Sequence, residues 1–440
     1  MHSDNLSAYK YESRQETDSQ SDLLYSRPSS AIGIRFLRWL LLLGLWLCYF
    51  SFGAIASSLA PLVPLIQAEL QINHAAMGSI MGAWQFVYIA AAIPAGMLLD
   101  RLGGTRALVI GVAFVALSAF GRAWADGYWT LLLAVMLFGI GGPIVSSGAP
   151  KVVTGIFEGS NRGLAMGIYM TGPTLGGILA LTLTHSVLLP MFDQNWRSIL
   201  NLWGAVAVLA GMVWFAIAST VGRRVDGFDE PRADADPAAT GKPGVRQLIA
   251  ITGVPLVLAM SVGVFLINHG LNNWLPEMLR ERGMTATEAG YWAALPMLIG
   301  ILGSLTIPRL ATPERRFVIL GLLCSAAAIS SFLLTLSAPG TTTVALLVQG
   351  LVRSTLMTVL ILTLVELPGM KPEQAGTASG LFFSAAEVGG VLGPLGLGLI
   401  YDLTHGFNAG LYTLTAVSAL MLLGTFRLSK LARPKPLSGP

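Results

Sequence analysis

The sequence predicts an all-α membrane protein of twelve transmembrane helices, arranged as two pseudo-symmetric six-helix bundles. Three observations carry this. The chain has 440 residues, of which 54% are hydrophobic and only 11% charged, whereas soluble domains carry about a quarter charged residues. Twelve apolar stretches approach or exceed the ~20 residues that a spanning helix needs. A glycine pattern in the fifth stretch recurs in the eleventh.

The expected spans lie at 36–66, 76–99, 106–124, 129–157, 163–190, 198–219, 247–275, 286–308, 315–337, 342–368, 374–400 and 406–427. Several exceed the minimum, as tilted or broken helices do. Residues 1–34 are polar and Ser-rich and read as a disordered tail. The longest internal polar stretch, 220–246, divides the spans six and six. It reads as a linker between an N-terminal bundle at 35–219 and a C-terminal bundle at 247–428, with a second tail at 429–440.

Orientation follows from Lys and Arg in the loops. With the N-terminus inside, 21 of the 27 basic residues fall on the inner side. Four fall outside: Arg122, Arg197, Arg280 and Arg282. Both termini and the linker are therefore expected in the cytoplasm, in a bacterial cytoplasmic membrane. The net charge of +4 is dispersed and forms no nucleic-acid footprint. Cys48 and Cys324 both lie in apolar runs, so no disulfide is expected. No Gly-Lys-Ser/Thr phosphate loop and no His-Cys cluster occurs. Neither an enzyme, a metal nor any other cofactor is expected.

The internal repeat has an offset of 213 residues: "GLAMGIYMTGPTLGGIL" (163–179) lies over "GTASGLFFSAAEVGGVL" (376–392). Gly163, Gly167, Gly176 and Gly177 fall on Gly376, Gly380, Gly389 and Gly390, and Tyr169 falls on Phe382. Spans 5 and 11 are thus equivalents. Parallel six-helix repeats are an architecture of alternating-access carriers.

Between spans 2 and 3 stands "GMLLDRLGGTRALVIG" (96–111), with Gly96, Asp100, Arg101, Gly103 and Arg106. A tight turn explains the glycines, and a carboxylate beside cations at a helix end explains the rest. This stretch resembles the signature loop of the major facilitator superfamily, Gly-x-Leu-x-Asp-Arg-x-Gly-x-(Arg/Lys). The resemblance covers the chain after residue 35. It implies that Asp100, Arg101 and Arg106 act as a conformational latch. The equivalent loop, "GSLTIPRLATPERRFVILG" (303–321), keeps Arg309, Arg315 and Arg316 but lacks the aspartate. "PKVVTGIFEGSNRGLAMGIYMTG" (150–172) is similar to the span 4–5 junction of cyanate permeases and organic anion:cation symporters. "GPTLGG" (172–177) resembles instead a span 5 motif of drug:proton antiporters.

Charges inside the spans mark the candidate site. Lys151 is the only charge in the 31 residues of 127–157. A lipid-facing placement would cost ~2.5–3.5 kcal/mol, and the backward lean of helical side chains points it toward the membrane centre. Arg353 lies near mid-depth of span 10, and its planar fork suits a carboxylate. The two cations are expected to clamp an anion from opposite halves. The alternative for Arg353 is a structural pair with Glu387. Glu387 replaces Thr174 of the repeat and is the expected proton carrier. In span 7, Asn268 and Asn272 lie one turn apart, and His269 is beside Asn268. Gly270 and Pro276 suggest that this helix is broken near its outer end. Gln85 and Tyr169 are further candidate contacts, alongside the aromatics Tyr49, Trp84 and Tyr88.

The resulting expectation is a monomeric, proton-coupled carrier of a small organic or inorganic anion. The alternative is an antiporter that exports drugs or metabolites in exchange for protons. The partners expected are the anionic substrate, the proton and the bilayer, with no nucleic acid.

Overall fold

The computed structural model describes residues 28–222, 245–338 and 340–431. The expected linker therefore lies for the most part outside the described residues, as do 1–27 and 432–440. All regular elements among the described residues are helices.

Span 1 begins at Pro28, inside the segment expected to be a disordered tail, and runs to Ser57. It then breaks. A single 3-10 turn, Ala60–Leu62, leads into a short helix, Val63–Leu70. Pro61 has no N–H to continue the ladder. In an apolar slab the freed backbone groups need other partners. The Ser58 hydroxyl donates to the Ile55 carbonyl at 2.8 Å, and Arg122 Nη1 donates to the same carbonyl at 2.9 Å. His185 Nε2 lies 2.7 Å from the Pro61 carbonyl. Arg122, expected in an outside loop, is therefore a buried residue that holds a broken helix.

Spans 2 and 3 form one helix, His74–Ala123. The expected turn between them has shrunk to Gly103, whose φ of 76° and ψ of 170° only glycine adopts without strain. One helix ends and the next starts with no residues between them. This is why eleven helices are long and apolar enough to cross a membrane although the chain crosses twelve times.

Span 4 is Tyr128–Ile156. Span 5 is Gly159–Leu183, followed by a π turn at Thr184–Leu188. Span 6 is Trp196–Val221, span 7 Val254–Glu281 and span 8 Ala286–Leu310. Span 9 is Arg316–Leu333, span 10 Thr341–Val365, span 11 Ala375–Thr404 and span 12 Asn408–Leu431. The break expected in span 7 does not occur: Pro276 sits inside a continuous helix. Gly270 serves close packing instead, since a Cβ there would come within 2.9 Å of Leu397 Cδ1.

Helices in lipid gain nothing from hiding oil from oil. They associate where small residues let backbones approach. The two halves use the same device at repeat-related places. Gly176 of span 5 faces the Phe50 carbonyl of span 1, and Gly389 of span 11 faces the Val262 carbonyl of span 7. In both, a Cβ would collide with backbone.

Contacts between the halves are one-sided. Near the start of span 2, Gly78 packs on the Pro394 carbonyl and Gly82 on Val391. Gly398 packs on the His74 carbonyl, and Gly290 of span 8 on the Leu181 carbonyl of span 5. All lie at the end opposite the turns carrying Arg101, Arg106, Arg162, Arg309 and Arg315. At that basic end, a Cβ at Gly96, Gly163, Gly167, Gly376 or Gly380 would meet nothing within 4 Å. The halves are closed at the far end and splayed at the basic end.

Two substitutions in span 11 test this packing. Gly389→Ala should lower stability by about 2 kcal/mol or more, because rigid backbone stands where the methyl would go. Gly380→Ala should stay within about 0.5 kcal/mol of the native protein. Thermal melting of the purified proteins compares them directly.

Candidate functional site

The site is built where spans 1, 2, 4, 7, 10 and 11 face one another at mid-depth. Gln85 of span 2 is fully buried, and its Nε2 lies 3.0 Å from His269 Nδ1 of span 7. This bond joins the two halves. The Trp84 and Phe265 rings flank His269 at centroid distances of 5.9 and 5.3 Å. On the N-terminal side, the Tyr88 hydroxyl meets the Ser146 hydroxyl at 2.7 Å, and the Tyr49 hydroxyl donates to the Ser146 carbonyl at 3.0 Å. Tyr169 packs edge-on against Tyr49 at 5.2 Å and is 3% exposed, which makes it a wall residue.

Glu387 reaches the same place. It is 6% exposed, and its Oε2 and Gln85 Cγ both border the empty Cβ position of Gly390, at 2.8 and 3.0 Å. A side chain at 390 would push them apart, so the glycine is required by the approach of span 2. Glu387 Oε2 and Gln85 Oε1 are both buried acceptors without a hydrogen-bond partner. Each such vacancy costs ~1–3 kcal/mol. Together they describe a place where a donor is missing.

Arg353 of span 10 is half-buried. Its backbone carbonyl accepts from Asn268 Nδ2 at 2.8 Å, which fixes span 10 against span 7. Its guanidinium makes no hydrogen bond or ion pair among the described residues, and it lies within electrostatic reach of His269. The structural pair with Glu387 is not formed. One turn before it, Gln349 Oε1 is also buried without a partner. The amide of Asn273, not of Asn272, is the one turned inward, where its Nδ2 donates to the His269 carbonyl at 2.9 Å.

Lys151 is not in this group. Its ammonium donates to Asp100 Oδ1 at 2.7 Å and to the Leu99 carbonyl at 3.2 Å. The two-cation clamp expected from the sequence is therefore absent in this arrangement. The lean of the lysine toward the membrane centre is overruled by a carboxylate within reach at the end of span 2. Arg101 and Arg106 are exposed at the same end. The C-terminal half carries a pair of reversed sign at the related place: Arg316, at the start of span 9, bonds Glu366, just after span 10. The two are fifty residues apart in the sequence.

Two bundles of six helices, joined by a bond at mid-depth and closed at one end, define a membrane carrier. The profile of the Major Facilitator Superfamily matches residues 45–394, and the chain belongs to that family. It is 26% identical over 407 residues to a quinolone resistance transporter of Acinetobacter baumannii, covering 84% of this chain and 88% of that one. It is 23% identical over 403 residues to a hexuronate transporter of Bacillus subtilis, covering 86% and 92%. Its fold matches a bacterial homolog of the human lysosomal transporter Spinster with a TM-score of 0.75 and 17% identity, covering 91% of this chain and 99% of that one. The protein is a multi-pass membrane transporter of this family.

The two polar links differ in weight. The Lys151–Asp100 pair is largely open to water, with Asp100 72% exposed, and such pairs contribute ~0–1 kcal/mol. Lys151→Ala should therefore change the melting free energy by less than about 1 kcal/mol. Gln85→Leu removes a buried bond to His269 and should cost about 1–3 kcal/mol. Thermal melting of the two variants in one detergent ranks them.

Proposed function

We propose that the protein is a secondary active transporter that carries a small organic anion, a carboxylate, together with a proton. Its basic end faces the cytoplasm. The observation that supports this reading is Arg353. A guanidinium at the middle of a membrane span, with no carboxylate partner among the described residues, is costly unless it faces a watery cleft or a ligand. Its fork matches a carboxylate with two parallel hydrogen bonds. Around it, Trp84, Phe265 and His269 offer flat faces to an organic body, and Gln85 Oε1 offers an acceptor to a hydroxyl.

Glu387 is assigned the proton. A carboxyl buried without a hydrogen-bond partner is carried most cheaply as the neutral acid. Loss of that proton would leave an unpaired charge at the contact between spans 2 and 11, where Gly390 lets them approach. Occupancy of the acid is thereby tied to the fit of the two halves. Lys151, Asp100, Arg101 and Arg106 have a gating role: Lys151 holds Asp100 within its own half while the basic end is open. Asp100 is freed for the opposite half when that end closes.

Two relatives point to different cargoes: one is named for hexuronate, the other for quinolone resistance. The aromatic wall suits either, and an antiporter exporting drugs is the second reading. Thermal stabilisation of the purified protein by a panel of sugar acids, simple carboxylates and lipophilic cations separates them. A ligand at 100 times its Kd adds ~2.7 kcal/mol. The expected result is stabilisation by a carboxylate that Arg353→Ala abolishes and Glu387→Gln retains. Stabilisation by cations alone, or an Arg353→Ala protein that responds as the native one does, would favour the exporter.

A further inference from the structure

The far end of the molecule carries a polar contact between the halves that neither the cargo nor the proton site explains. Span 2 starts at His74, and its first N–H groups have no intrahelical partner. The Asn73 side chain accepts from Ala76 N at 2.9 Å, an ordinary cap from the same half. The other two come from across the interface: Asp402 Oδ1 accepts from His74 N at 3.1 Å, and Oδ2 from Ala75 N at 2.8 Å. Asp402 belongs to the last turn of span 11. One carboxylate of the C-terminal half thus caps a helix of the N-terminal half with both oxygens, at the positive end of the helix dipole.

The surroundings hold the carboxylate there. The His74 ring stacks on Tyr401 at 3.7 Å and faces Trp274 at 5.5 Å, and its Nδ1 lies 3.4 Å from Asp402 Oδ1. The Tyr401 hydroxyl donates to Glu281 Oε1 at 2.5 Å, a bond inside the C-terminal half. Gly398, one turn before Asp402, packs under the His74 carbonyl, and Gly78 under that of Pro394. Backbone meets backbone at these glycines, and the stacked His74 ring is the aromatic group that must slide off Tyr401 and Trp274 when the surfaces part. The His74 and Asp402 side chains are 20% and 22% exposed. Water can reach the carboxylate and the two N–H groups when they separate, so separation carries no penalty for stranded polar groups.

We propose that Asp402 is the residue that locks the far end shut, capping span 2 across the interface in the arrangement seen here and releasing it when that end opens. The proposal uses the rocking of the two halves but not the carboxylate assignment, so either can fail alone.

Spin labels on the two sides of the contact test it. The full chain, with Cys48 and Cys324 replaced by Ser, carries Ala68→Cys before span 2 and Thr404→Cys at the end of span 11. Both positions are exposed. Pulsed dipolar measurements in lipid nanodiscs read the distance distribution. The labelled protein should show a dominant short distance. Asp402→Ala should raise the ratio of long to short populations about fivefold, the effect of removing one well-placed charge from a helix start. Asp402→Asn keeps the shape and one acceptor, and should give a smaller rise in the same direction. It decides the matter if the alanine variant does not fold. Tyr401→Phe, which breaks only the bond to Glu281, should leave the distribution unchanged. Distances in Asp402→Asn and any folded Asp402→Ala that match the unsubstituted protein would overturn the proposal. So would a Tyr401→Phe shift as large as that of Asp402→Ala, because the end of span 11 would then merely have loosened.

Discussion

A polar group inside the bilayer must find a partner within the protein, and most of this structure follows from that. The break in span 1 is tolerated because Arg122, Ser58 and His185 take up the backbone groups it frees. Asn268 bonds the Arg353 carbonyl, and Trp274 Nε1 donates to the Pro394 carbonyl at 2.8 Å. Buried side-chain atoms without a partner are scattered through the protein, Trp203 Nε1 and Ser331 Oγ among them, but Glu387 Oε2 and Gln85 Oε1 occur together at the contact between spans 2 and 11. The fold leaves side-chain capacity at that contact between the halves.

The second constraint is steric. Small residues set where the halves can touch, and they are distributed unevenly along the molecule. At the far end, Gly78, Gly82, Gly290 and Gly398 bring backbones of opposite halves together. At the basic end, Gly96, Gly163, Gly167, Gly376 and Gly380 have open space in front of them. The glycines at 176 and 389 act within a half, where they let two spans of one bundle pack backbone to backbone. At the open end, Lys151–Asp100 and Arg316–Glu366 join elements within one half. The closed end holds pairs within a half as well, Arg197–Glu69 and Arg280–Glu277, and adds the carboxylate of Asp402, which crosses between halves.

Much of the fold was legible in the sequence because it rests on composition and period. Apolar length located the spans, and the repeat at 163–179 and 376–392 identified equivalent helices whose glycines pack alike. Turn geometry was less legible. Gly103 compresses a whole loop into one residue, and Pro276 does not interrupt its helix. The site was legible in part. Arg353, Glu387, Gln85 and His269 stand out as polar residues in apolar runs, and the structure brings them together. Lys151 stood out equally and lies elsewhere, since its partner Asp100 is fifty-one residues away. Sequence spacing carries no information about such a distance. Ser146 and Asp402 were missed for the same reason: a serine in a span and an aspartate at a helix end look ordinary until the other half is placed against them.

The central claim is that an anion held by Arg353 moves with a proton carried by Glu387. Uptake into proteoliposomes of a radiolabelled carboxylate that stabilises the purified protein, driven by an inward proton gradient and no other, tests it most directly. The account predicts accumulation of that carboxylate against its gradient by the native protein. It also predicts that Glu387→Gln still exchanges it across the membrane but no longer accumulates it. Accumulation by Glu387→Gln equal to that of the native protein would contradict the account, because the proton would then travel by a route that does not include this carboxyl.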